Sequence, residues 1–150
     1  MAGHYDRAAD LRFAILGADV TLQLDRTFLR AEYLGRWTEF ALGEDPEARL
    51  KYGPGSDGEY SDYFFKDGFD FEVEHPFGRI SVIGRLDGLR RRGNVLLDSE
   101  LSSDTSVYRY TAGLAFRLLA LVQLKASVER YQFADFQDET AMHLGVAGQL

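Results

Sequence analysis

Apolar and polar residues alternate with period two along most of this chain, the spacing that sends successive side chains to opposite faces of a β-strand. In FAILGADVTLQL, Ala14, Leu16, Ala18, Val20, Leu22 and Leu24 share one face, and Gly17, Asp19, Thr21 and Gln23 share the other. FLRAEYLGRWTEF sets Leu29, Ala31, Tyr33, Gly35 and Trp37 against Arg30, Glu32, Arg36 and Thr38, with Leu34 falling among the charges. GFDFEVEH is the cleanest case, with Phe69, Phe71 and Val73 opposing Asp70, Glu72 and Glu74. RISVIGRLDGL, YRYTAGLAFR, VQLKASVERY and the closing TAMHLGVAGQL repeat the pattern and bring the expected strands to seven. A helix competes only over FRLLALVQLKASVERYQF, where helix propensity is good. The alternation on both sides of that stretch favours strand.

The connections carry a second pattern. Short ones, DR, PFG and LLA, alternate with long ones, ALGEDPEARLKYGPGSDGEYSDYFFKD, RRRGNVLLDSELSSDTS and the intermediate ADFQDE. In an up-and-down meander this order collects the short turns at one end and the long loops at the other. That asymmetry is typical of outer-membrane barrels. It would place the end of the last strand on the periplasmic side. Trp37, Phe40, Tyr60, Tyr63, Phe64, Phe65, Tyr108, Tyr110, Tyr131, Phe133 and Phe136 cluster toward the long-loop ends, where an interfacial aromatic girdle is expected.

Composition narrows the partners. With a formal net charge of −7 the chain lacks the basic face that nucleic-acid binding requires. It has no cysteine, so disulfide and thiol chemistry are excluded. No run approaches the roughly 20 apolar residues of a membrane helix, a test that barrel strands escape because they alternate. The opening MAGHYDRAADLRF has no apolar stretch of the secretory-signal kind.

From about Lys66 onward, KDGFDFEVEHPFGRISVIGRLDGL, YRYTAGLAFRLLALVQLKASVERYQF and the final alternating strand resemble the C-terminal part of bacterial outer-membrane porins of the phosphate-selective O and P type. The resemblance implies a transmembrane β-barrel in the bacterial outer membrane, in contact with the lipid bilayer and lipopolysaccharide. It also implies passive diffusion of small solutes, anionic ones among them, and a last strand read by the barrel-assembly machinery. Two features depart from the family: the chain ends in Leu150 where an aromatic residue is usual, and LLA lacks ordinary turn residues. None of the family's substrate-binding residues can be placed here, so phosphate selectivity does not transfer.

The expected architecture is therefore all-β, a single domain over residues 1–150, an antiparallel up-and-down meander of about seven strands belonging to a larger barrel. Seven is an odd number, and single-chain bacterial barrels have even ones. An open edge of roughly five unpaired backbone groups in lipid, at several kcal/mol each, exceeds a whole domain's stability of about 5–15 kcal/mol. Hence the sequence is expected to be part of a longer porin, to assemble with further chains (a homo-oligomer among them), or to conceal a strand in ARLKYG or NVLLDSEL.

Charges recur in the middle of strands: Arg30, Glu32, Arg36, Arg85, Asp87, Arg109, Lys125 and Glu129. At mid-depth on a lipid face, each Arg or Lys would cost about 2–4 kcal/mol, so these eight are expected to line a water-filled pore. No nucleophile–base pair can be assembled, and no catalytic residue or cofactor is expected. His4, His75 and His143 lack metal-ligand spacing, GSDGEYSD and DSELSSD lack the full pattern of a calcium loop, and GPGSDG lacks the Lys-Ser/Thr of a phosphate loop. The run Arg90–Arg92 is expected as a solvated charge cluster at a strand-to-loop junction. The alternative reading is a soluble β-barrel binding module for a small apolar ligand, since turning the apolar face inward leaves the alternation unchanged.

Overall fold

A computed structural model describes residues 2–6, 11–40, 52–53, 58, 63–96 and 99–148, and among them there is no helix. Seven long strands run as a meander: β2 (Leu11–Leu24), β3 (Thr27–Phe40), β5 (Tyr63–Phe77), β6 (Ile80–Gly93), β8 (Asp104–Leu119), β9 (Val122–Phe133) and β10 (Glu139–Gly148). A short β1 (Ala2–Asp6) adds an eighth strand by pairing with Leu11–Ile15. The sheet order is β1-β2-β3-β5-β6-β8-β9-β10, every neighbour antiparallel. Among the described strands, β1 and β10 are the two unpaired edges.

The meander matches the alternation, and the differences have local causes. Both segments expected to conceal a strand contain one, since β4 (Tyr52–Gly53) and β7 (Val95–Leu96) pair with each other as a separate ribbon between two long connections. β1 escaped the sequence reading because five residues carry too little periodicity. PFG is not a turn. Pro76 and Phe77 finish β5, and the chain reverses over Gly78 and Arg79, with Gly78 at φ 66°. The β2–β3 hairpin likewise reverses at Asp25, φ 55°, a conformation that Asp tolerates. LLA also shifts: β8 continues to Leu119 and the turn is Ala120–Leu121, with a register irregularity between Arg117 and Leu119. The arginine run closes β6 just before its last residue, Gly93, so it lies at the long-loop end of the strand. Gly93 has φ 93°, and a Cβ there would lie 2.2 Å from the Tyr63 carbonyl oxygen, so β6 can end beside β5 only on glycine.

Pairing fuses the strand faces into two sheet-wide surfaces. One is apolar: the row Leu22–Leu29–Val73–Gly84–Ala112–Val128–Met142 crosses the seven long strands, and the next runs Leu24–Thr27–His75–Val82–Leu114–Ala126–Leu144. This surface is open. Phe71, at the centre of the sheet, is 47% exposed, Leu114 55% and Leu16 55%. Only Phe64, Val95 and Ala115 are buried hydrophobic residues among those described. A single sheet with so little core is half of an architecture, because an apolar face needs a second layer or an apolar solvent to cover it. The opposite surface is charged and carries the hollows described below.

Aromatic residues divide between the two surfaces. Trp37, Tyr63 and Phe65 lie on the apolar side near the long-loop end, where Trp37 stacks on Tyr63 with ring centroids 4.2 Å apart, while Tyr108 and Tyr110 lie deeper on the same side, Tyr110 abreast of central Phe71. Phe64, Tyr131 and Phe133 alternate onto the polar side instead, so the cluster expected as one girdle is split by strand parity. The side chains of Phe40 and Tyr60 lie outside the described residues.

Candidate functional site

Register sorts the polar surface into transverse rows. Arg30, Glu32, Arg36, Arg85, Asp87, Arg109, Lys125 and Glu129 all fall on it, in several different rows. Starting near the long loops, one row reads Ile15–Arg36–Lys66–Arg91–Thr105. Below it lies Gly17–Leu34–Gly68–Leu89–Val107–Phe133, which is apolar. Asp19–Glu32–Asp70–Asp87–Arg109–Tyr131–Glu139 follows, with four acids directly abreast. Next come Thr21–Arg30–Glu72–Arg85–Thr111–Glu129–Ala141. Lys125 sits nearer the short turns, between Ala115 and Gly145.

The two lower charged rows knit into a ladder. Arg85 reaches diagonally to Asp70, with which it hydrogen-bonds, and lies 3.4 Å from Asp87. Arg109 donates to Asp87 from the other side at 3.0 Å and approaches Glu129 at 3.7 Å. Glu129 also accepts from the Tyr131 hydroxyl at 2.6 Å and lies 3.5 Å from His143. One alternating chain of charge therefore crosses β5, β6, β8, β9 and β10. Arg30 and Glu72 form a more exposed pair at 3.5 Å. Like charges directly abreast destabilise a sheet, and Arg85 and Arg109 offset this by wedging between the acids. Among the described residues, Asp19, Glu32 and Lys125 make no ion pair.

Two hollows open on this surface. The larger, about 700 Å³, spans the cationic, apolar and acidic rows between Glu32 and Val107, with Leu101, Asp135 and Phe136 at its rim. The smaller, about 420 Å³, lies between Glu72, Arg85, Lys125, Glu129 and His143. Within the arginine run, Arg91 alone faces the polar side, where it donates to the Asn94 carbonyl. Arg90 and Arg92 face outward. Arg90 pairs there with Asp67, whose side chain is only 4% exposed, and Arg92 lies 3.8 Å from Asp104. Arg90 is thus held by a buried acid, whereas Arg92 and Asp104, with side chains 63% and 73% exposed, remain solvated.

Asp70, Glu72, Tyr131, Lys66 and Arg91 join the site without having been among the eight residues expected to line the lumen. The alternation of GFDFEVEH already placed the acids on the charged face. Lys66 lay just outside the strand boundary assumed at Gly68, and Arg91 was concealed by its two arginine neighbours. His75 contacts Thr27 at 2.7 Å on the outer side, while His143 joins the ladder. No group of three or more metal-ligating side chains occurs among the described residues. GSDGEYSD and GPGSDG lie almost wholly outside them, as do His4's side chain, Gln149 and Leu150. No protein-family model, curated protein or solved structure matches the chain.

Proposed function

We propose that the chain forms wall of an outer-membrane β-barrel channel, with its apolar face in lipid and its charged face lining a water-filled lumen. The observation that carries this reading is the exposed apolar surface. On β2 it runs without a charge from Ala14 to Leu24, a rise of about 33 Å along the strand. At the usual tilt this becomes a band about 25 Å tall, the height of the lipid-facing belt of such barrels. Trp37 and Phe65, abreast of Ala14, border it at the long-loop end, the depth favoured by amphipathic rings.

The same energetics that favour lipid on one face demand water on the other. Arg85, Asp87, Arg109 and Glu129 face an aqueous lumen and set a transverse field across it, through which small charged and polar solutes diffuse. Edges β1 and β10 run antiparallel, so an even number of further strands, or direct pairing of the two, completes the barrel without breaking the alternation. Those strands come from a longer chain or from another copy.

Reconstitution into a planar bilayer tests the proposal. Stepwise conductance is expected, and Arg85→Gln with Arg109→Gln should shift the reversal potential toward cation preference. A monodisperse monomer in detergent-free buffer would overturn it in favour of the soluble binding module.

A further inference from the structure

The larger hollow combines features that a simple charged lumen does not need. Arg36, Lys66 and Arg91 stand directly abreast on β3, β5 and β6, spaced by about one inter-strand distance of 4.8 Å. Three like charges in register disfavour the sheet. Among the described residues no ion pair relieves Arg36 or Lys66. The acids on the same strands and the same face, Glu32, Asp70 and Asp87, lie four residues further along, about 13 Å away. Asp135 reaches the end of the row, where it accepts hydrogen bonds from Ser102 and Thr105.

The cations are held in place from behind. The Arg36 guanidinium sits 4.6 Å from the centroid of the Phe13 ring, and Lys66 Nζ and the Arg91 guanidinium lie 5.4 and 5.7 Å from that of buried Phe64. Arg36 Nε is inaccessible to solvent and has no acceptor among the described residues.

The next row inward supplies the second half of a site. Leu34, 50% exposed, and Leu89, 64% exposed, stand on the polar face beside Val107 and Phe133. Leu34 leans over Gly17 and Leu89 over Gly68, where an added Cβ would lie 3.0 and 2.9 Å from their methyl carbons. This apolar shelf begins about 7 Å from the cations and ends at the acidic row.

We propose that this hollow binds amphipathic organic anions, with a carboxylate on Arg36, Lys66 and Arg91 and a short alkyl or aromatic body on Leu34, Leu89, Val107 and Phe133. Inorganic oxyanions satisfy the cations but leave the shelf wet. The acidic row beyond it repels a second negative charge, so monoanions bind better than dianions. The site rests on the reading of this face as the water-filled one, but it does not require conduction.

Calorimetric titration of the full chain in detergent, against a micelle blank, with acetate, hexanoate and inorganic phosphate tests it. Hexanoate should bind at least tenfold tighter than acetate or phosphate, since each fully buried methylene contributes about fourfold. Lys66→Gln should weaken hexanoate at least tenfold. Leu89→Ser should flatten the difference between hexanoate and acetate while leaving acetate unchanged. Equal binding of all three anions would reduce the site to a plain anion patch and overturn the proposal, as would no binding at all. Hexanoate binding without bilayer conductance would sink the channel and leave the site standing, and conductance without binding would do the reverse. If Lys66→Gln fails to fold, Arg36→Gln, on the neighbouring strand, serves the same comparison.

Discussion

Placing one arginine at two positions near the same strand separates a lipid-facing sheet from a water-facing one. Ala112 lies on the apolar face of β8, halfway between Tyr108 and Phe116, and is exposed. Four residues on either side amount to about 13 Å along the strand, or about 10 Å along the membrane normal at a tilt near 40°. In the proposed barrel this position lies inside the lipid-facing band, where an Arg costs up to about 2–4 kcal/mol. Gly84 and Val128 stand directly opposite and leave space for the new side chain, so packing adds little. Ala120, in the β8–β9 turn, is equally exposed. There the same substitution should stay within about 0.5 kcal/mol, as for ordinary surface sites. The assay is equilibrium urea unfolding in phosphatidylcholine vesicles, followed by fluorescence of Trp37, the single tryptophan. In the proposed barrel, its place in the aromatic border makes its emission sensitive to leaving the interface. Ala112→Arg should lower the folding constant roughly 30- to 700-fold relative to Ala120→Arg. A difference below about 0.5 kcal/mol between the two would refute a lipid-facing β8.

Two further substitutions probe the sheet itself. Gly93→Ala should destabilise by at least about 1–3 kcal/mol, because its φ of 93° is strained for alanine and the added Cβ meets the Tyr63 carbonyl at 2.2 Å. Gly145→Ala, where a Cβ meets nothing within 4 Å, should be neutral or slightly stabilising in the same unfolding assay, and equal effects would contradict the geometry. Asp67→Asn should cost about 2 kcal/mol by stranding Arg90 on the outward face, whereas the double variant with Arg90→Gln should recover part of it. Additive losses in that cycle would show that the pair is not coupled.

How much was legible in the sequence follows from the range of the physics involved. Period-two alternation is local, so which residues face together was readable wherever a strand was long, and all eight residues expected to line the lumen do share one surface. Connection lengths are local too, and they identified the meander and its long-loop end. β1 and the β4–β7 ribbon are too short to show a period, and Pro76, which reads as a turn residue, is carried inside β5 by its partner Ser81. Arg90 and Asp67 look like lumen charges by residue type alone. Only pairing shows that they sit on the outer face with each other.

Alternation, set by the backbone geometry of each strand, decided the faces of this protein before any strand met its neighbour. Register decided the rest, because a slip of two residues keeps every face and regroups every row. Arg36, Lys66 and Arg91 come from three separate stretches, and only hydrogen-bonded pairing across β3, β5 and β6 sets them abreast above Leu34 and Leu89.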